Sequence, residues 1–279
     1  MERRRLWPYL RALGPGLLAA AAGNDAGGIA TYSSAGASYG YGLLWAMVLV
    51  TIFVGVVQEM SARMGAVTGK GFSDLVRESF SLRTTALILL TLLVANAGII
   101  VSEFIGIAAA AELFGVSRYV AVPLAAVLVW LLITRGSYGW VERIFLVLSF
   151  AFLAYVGSAF LARPDWSEVF DQTLQPRLRM EVGYLYMLIA LIGTTISPYM
   201  QLYVQSSVVE KGVTPSDYRY TRFDVIIGTL IAGLVAGFII IATAATLFPR
   251  GIEIETAADA ARALEPIAGS YARVLFGLG

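Results

Sequence analysis

Cysteine and histidine are both absent from this chain of 279 residues. Without cysteine there is no disulfide framework, no thiolate metal site and no thiol redox chemistry. Without histidine, the commonest transition-metal ligand and the usual proton carrier near neutral pH are missing. Charge is scarce too: 14% of residues are Asp, Glu, Lys or Arg against 58% hydrophobic, a balance too apolar for a soluble domain of this size. A net charge of +1 gives no reason to expect a nucleic-acid partner. The chain also lacks a glycine-rich phosphate loop, a zinc-ligand spacing and a nucleophile with a histidine base, so nothing in it points to an enzyme.

What is present is a series of long apolar runs. About 20 such residues cross roughly 30 Å of hydrocarbon as a helix, and only helices or closed barrels satisfy their backbone there. Uninterrupted stretches such as ALILLTLLVANAGII favour helices. The spans fall at residues 12–37, 42–64, 84–114, 119–137, 141–162, 183–209 and 223–248, with an eighth beginning near Ser270. The basic head before the first run also fits a cleaved leader. Six further segments and the polar core of the first run favour a span. The expected architecture is all-α and polytopic, one transmembrane domain over residues 1–279. The last apolar pattern stops after about ten residues, short of a crossing, so the chain is expected to be truncated.

Two spans are interrupted near their middles. In the first, LLAAAA gives way to Gly23-Asn24-Asp25-Ala26-Gly27-Gly28; in the sixth, YLYMLIALI gives way to Gly193-Thr194-Thr195-Ile196-Ser197-Pro198. Pro198 removes a backbone donor, and Gly27 and Gly28 permit non-helical dihedrals, so both helices are expected to unwind there. Paired interruptions of this kind build midplane ion sites in many secondary transporters. Spans one to five (residues 12–162) then form a first repeat, and residues 183–279 an incomplete second one.

Asp25 lies near the bilayer centre, where an ionised carboxylate costs at least about 2.5 to 3.5 kcal/mol and marks an ion pathway. Capping the helix that resumes at Ala26 is the plainer role, and it does not exclude ion binding. Ser197 fits either a ligand or a hydroxyl bonded back to its own turn. Gln201 and Gln205, four apart, share one helical face and either line a wet cavity or bond to a neighbouring helix. Asn96 and Glu103, seven apart, share a face of the third span; Glu103 fits a proton relay, an arginine partner or a protonated carboxyl. Gln58 and Glu59 are expected to be solvated near the cytoplasm. Glu142, Arg143, Arg222 and Asp224 read as interfacial charges.

Leu13-Gly-Pro-Gly16, Asn24-Asp25-Ala26-Gly27-Gly28, Tyr39-Gly-Tyr-Gly-Leu-Leu-Trp45 and Ser61-Ala-Arg-Met-Gly-Ala-Val-Thr-Gly-Lys70 resemble the natural resistance-associated macrophage protein family of divalent metal transporters. The resemblance runs from about Leu13 to the end. It implies the leucine-transporter fold of two five-helix inverted repeats. It also places metal-ligating backbone carbonyls at Ala22 and Thr194, and it puts Tyr199 beside the site. The departures fall at the site itself. The family's Asp-Pro-Gly-Asn reads Asp25-Ala26-Gly27-Gly28, its Met-Pro-His reads Ser197-Pro198-Tyr199, and its Asp-Leu-Ala-Glu reads Ile100-Val101-Ser102-Glu103. Met200-Gln201-Leu202-Tyr203 runs one residue longer than the family's pattern. Losing the thioether removes a soft ligand, and losing the asparagine frees room for an ion that keeps its water. This pattern resembles the magnesium-transporting branch, which implies a permease for Mg²⁺ and Mn²⁺ without proton coupling. No resident cofactor is expected, the metal being the transported substrate, and the permease is expected to be monomeric in the lipid bilayer. The alternatives are a proton-coupled Mn²⁺ or Fe²⁺ importer, an amino-acid transporter of the same fold, which Asp25 disfavours by repelling the substrate carboxylate, and a seven-helix receptor, which would not need broken helices.

Basic residues in short connections stay in the cytoplasm. With the N-terminus inside, the inside segments hold Arg3, Arg4, Arg5, Arg11, Arg63, Lys70, Arg77, Arg83, Arg135, Arg143, Lys211, Arg219 and Arg222. That is 13 of the 20 Lys and Arg residues. Most of the rest lie in two longer loops, where the rule is weaker. A reporter fused after Gly40 is therefore expected to face outside and one after Lys70 to face inside; the opposite labelling would overturn this orientation.

Overall fold

A computed structural model of the chain describes residues 23–136 and 153–254. Among these every regular element is helical: α1 (Ala26–Tyr39), α2 (Leu44–Thr68), α3 (Phe72–Ser79), α4 (Leu82–Leu113), α5 (Arg118–Arg135), α6 (Leu153–Leu161), α7 (Trp166–Leu174), α8 (Val182–Thr195), α9 (Pro198–Glu210) and α10 (Tyr218–Thr246), then a 3₁₀ turn at Phe248–Arg250. The expected spans at 42–64, 84–114, 119–137 and 223–248 correspond to α2, α4, α5 and α10, and 183–209 to α8 plus α9. Ala22, the beginning of the first span, most of the span at 141–162 with Glu142 and Arg143, and the segment from Ser270 lie outside the described residues.

Among the described residues five stretches are long and apolar enough to cross a bilayer: Leu44–Thr68, Leu82–Glu112, Arg118–Arg135, Val182–Glu210 and Tyr218–Arg250. Their flanks carry exposed large side chains, among them Leu87 (65%), Leu93 (65%) and Ile133 (72%). Apolar surface this continuous belongs in lipid. α3 and α7 were not foreseen. They are short and polar-faced, and Asp165 starts α7 by accepting from the amides of Ser167 and Glu168.

The described residues group into two compact units, one comprising residues 51–100 and 196–232 with Gly23, the other residues 24–50, 101–136, 153–195 and 233–254. In the first unit, Ala62 and Ala66 of α2 pack with Val204 and Val208 of α9 and Val225 of α10. Small residues let the helix backbones approach, the usual device where lipid supplies no hydrophobic contrast. Gly65 shows how closely: a Cβ there would lie 2.9 Å from the Gln205 carbonyl oxygen.

Three expectations change in this unit. Gln58 is fully buried rather than solvated, and donates from Nε2 to Met200 Sδ at 3.6 Å. Glu59 accepts from the Tyr218 hydroxyl and lies 3.8 Å from both Arg63 and Arg222. Asp224 is completely buried, not an interfacial charge. Each sits on the side of its helix that faces another helix, a distinction invisible where apolar residues surround the helix on all sides.

In the second unit α1 packs on α8. The buried Tyr184 hydroxyl of α8 accepts from Trp45 Nε1 at 3.1 Å and donates to the Gly42 carbonyl at 3.0 Å, holding the turn after α1. That turn begins at Gly40, whose φ of 58° suits glycine. Gly36 on α1 meets α10 so closely that a Cβ would fall 2.1 Å from Thr243 Oγ1 and 2.5 Å from the Ile240 carbonyl oxygen. The position of α1 is thus set by contacts along its whole length.

Candidate functional site

A helix that starts in an apolar interior exposes backbone N–H groups with no intrahelical partner. Asp25 solves this for α1: in extended conformation (φ −65°, ψ 175°), it accepts from the Gly28 amide through Oδ1 at 2.6 Å. The capping role is therefore present. The unwound stretch is shorter than expected, because α1 is already helical from Ala26 and includes Gly27 and Gly28. Gly27 serves packing instead: a Cβ there would lie 3.0 Å from Ser102 Oγ on α4. One turn along α4, a Cβ on Gly106 would fall 2.2 Å from the Ala26 Cβ. Gly28 offers no side chain, and its amide is committed to Asp25.

This close approach brings the second carboxyl of the site into place. Glu103, between Ser102 and Gly106, takes a backbone hydrogen bond from Ala26 and lies near enough to Asp25 for their charges to interact. Its Oε1 is buried with no hydrogen-bond partner among the described residues. No arginine pairs with it among the described residues. A half-buried carboxylate at a helix N-terminus with a second carboxyl beside it is a strongly cation-attracting arrangement.

The other break contracts in the same way. α8 runs through Gly193 and Thr194 to Thr195, only Ile196 and Ser197 are non-helical, and Pro198 begins α9. Proline suits that first position because its missing N–H would have had no intrahelical acceptor. Thr194 stands in the last turn of α8, where the helix dipole and terminal carbonyls favour a cation. Ser197 is the buried N-cap residue of α9 and makes no side-chain capping bond. Tyr199 is half-buried in the first turn of α9.

The remaining candidates lie in the first unit. Gln205 donates from Nε2 to the Lys70 carbonyl at 2.9 Å. Gln201 has neither amide atom hydrogen-bonded, and Asn96 Oδ1 is also without a partner among the described residues. Among those residues no group of three or more His, Cys, Asp or Glu side chains is placed to hold a metal.

A contact that sequence reading passed over joins α1 to α8 within the second unit. The Thr195 hydroxyl donates to the Leu191 carbonyl at 2.7 Å, so the buried Tyr32 hydroxyl, 3.0 Å away, donates to Thr195 Oγ1. Tyr32 comes seven residues after Asp25, two helical turns on the same face. The bond ties α1, whose first turn Asp25 caps, to the last turn of α8, which carries Thr194.

Together the helices and their paired interruptions define a polytopic membrane protein of the leucine-transporter type. The chain belongs to the natural resistance-associated macrophage protein-like family, whose model matches residues 16–279. It is 29% identical over 290 residues to a divalent metal cation transporter, MntH, of Chromohalobacter salexigens, covering 98% of this chain and 66% of that protein. To the MntH of Yersinia pestis it is 32% identical over 278 residues, covering 96% and 67%. These relatives are transporters, not enzymes. Among solved structures, an Eremococcus coleocola manganese transporter in complex with an aromatic bis-isothiourea substituted compound superimposes with a TM-score of 0.76 at 22% identity, over 97% of this chain and 62% of that one. The similarity establishes the fold. The chain spans about two thirds of the length of these proteins.

Because Tyr32 and Thr195 bond in a site shielded from water, Tyr32→Phe and Thr195→Val are expected to show a coupling of about 0.5 to 1.5 kcal/mol in a double-mutant cycle of thermal unfolding in detergent. Additive effects of the two substitutions would show that this bond does not join α1 to α8.

Proposed function

We propose that this protein takes up divalent metal ions, Mg²⁺ foremost and Mn²⁺ with it, without moving protons. The observation that carries this reading is Asp25, an acidic side chain that caps the start of α1, in a family whose relatives are named divalent metal cation transporters. The charge offsets part of the ion's dehydration, and the other donors that the family resemblance implies are neutral oxygens: the carbonyls of Ala22 and Thr194 and the hydroxyl of Ser197. All three enter on their sequence positions. Oxygen donors and few charges suit Mg²⁺, which retains several waters, whereas a thioether at the position of Ser197 would favour softer ions. The absence of a side chain at Gly28 leaves room for that water. The Lys and Arg pattern supports an N-terminus in the cytoplasm and import toward that side.

The absence of histidine and the presence of Ile100 where the family carries a carboxylate support uptake uncoupled from protons. One observation favours the other reading, a proton-coupled Mn²⁺ or Fe²⁺ importer: Glu103 lies beside Asp25 with an unpartnered oxygen able to carry a proton. Liposomes loaded with a pH dye separate the two. Mg²⁺ uptake without internal acidification is expected; metal-dependent acidification would favour the coupled importer. In the same assay Ser197→Met combined with Gly28→Asn is expected to lower Mg²⁺ uptake and raise uptake of Mn²⁺ or Cd²⁺. An unchanged preference at normal expression would refute the proposed ligand set.

A further inference from the structure

The first unit contains a row of buried amides that the proposed ion site does not use. Gln58 and Gln205 are both fully buried. Each has its nitrogen engaged, Gln58 on Met200 Sδ and Gln205 on the Lys70 carbonyl, and each has an Oε1 without a partner among the described residues. Gln201, next to Met200 and one turn from Gln205, has neither Oε1 nor Nε2 paired. An amide with a purely structural role bonds at both ends, because a buried acceptor left unmade is destabilising. Here the nitrogens of Gln58 and Gln205 anchor the side chains and the oxygens are left over.

The spacing gives these oxygens a direction. Ser197, Gln201 and Gln205 follow one another at intervals of four, so they fall along one side of α9, about 6 Å apart along its axis. The row leads from the helix break toward Lys70, which the charge pattern puts on the cytoplasmic side. Gln58 faces the same stretch from α2. The apolar cluster beside it, Ala62 and Ala66 against Val204 and Val208, offers nothing to a cation.

We infer that Gln58, Gln201 and Gln205 line the passage by which a hydrated divalent cation leaves the break at Ser197 for the cytoplasm, shut in this conformation and opened when α2 and α9 part. This rests on the proposed transport of such an ion. Neutral amide oxygens suit the task because they accept hydrogen bonds from water held by the ion without trapping its charge, as a row of carboxylates would. Closing the seam leaves the oxygens unpaired, which favours reopening once an ion arrives.

The natural absence of cysteine makes the test direct. Single variants Gln201→Cys, Gln205→Cys and, as a buried control on the same helix, Val204→Cys would be treated in liposomes with a small hydrophilic methanethiosulfonate reagent from the cytoplasmic side. The glutamine positions are expected to react at least about tenfold faster than Val204→Cys, since only they face an opening that admits water. Equal rates at all three would overturn the passage. Separately, Gln201→Leu is expected to lower the maximal rate of Mg²⁺ uptake about tenfold with an unchanged half-saturating concentration, the loss of one hydrogen bond to a charged hydrate in transit. An unaltered rate would also overturn the proposal. Thiol reaction does not require transport: reactive glutamine positions in a chain that takes up no metal would uphold a water-filled seam and refute the transport reading alone.

Discussion

The hydrogen bond from the Gly28 amide to Asp25 is the interaction on which the rest of the site depends. It lets a helix begin where water cannot satisfy its first N–H groups, and it does so with a group that carries charge. Oδ1 carries that bond. Around this start the chain has removed side-chain bulk. Gly27 and Gly106 let α4 press against the first turn of α1, and that contact brings Glu103 to Asp25. Replacing either glycine by a larger residue would move the second carboxyl as well as disturb packing.

The second break is solved by different chemistry. Where Asp25 caps its helix with a side chain, α9 begins with Pro198, which lowers the number of N–H groups needing a partner. Ser197 is thereby spared the capping task that Asp25 performs. In the proposed reading Asp25 supplies charge, and Thr194 and Ser197 supply neutral oxygen. An ion with a tightly held hydration shell is better served by such a site than by a cage of several carboxylates, which would demand that it shed more water. Within the second unit the Tyr32 to Thr195 bond fixes the last turn of α8 against α1.

Much of this was legible in the sequence. The length of the apolar runs placed α2, α4, α5 and α10, Pro198 marked the break before α9 because proline has one strong backbone consequence, and Asp25 was legible as a helix cap. The extent of unwinding was not legible. Glycine permits non-helical dihedrals but does not impose them, and at Gly27 what matters is the approach of Ser102, a residue 75 positions away in the chain. The burial of Gln58 and Asp224 was missed for a related reason. In a soluble helix the apolar stripe tells which side faces inward, whereas a membrane helix is apolar on all sides and its few polar residues carry no such label. The Tyr32 to Thr195 contact likewise joins residues 163 positions apart, beyond anything spacing along one helix can indicate.

In the proposed function the charge of Asp25, and not its capping bond, serves the ion. Asparagine caps helices about as well as aspartate but carries no charge. Asp25→Asn, reconstituted in liposomes, is expected to unfold at nearly the same temperature as the unsubstituted protein and to take up no measurable Mg²⁺. Uptake by Asp25→Asn at the unsubstituted rate, with stability unchanged, would contradict the account, because the break would then move its ion without the carboxylate.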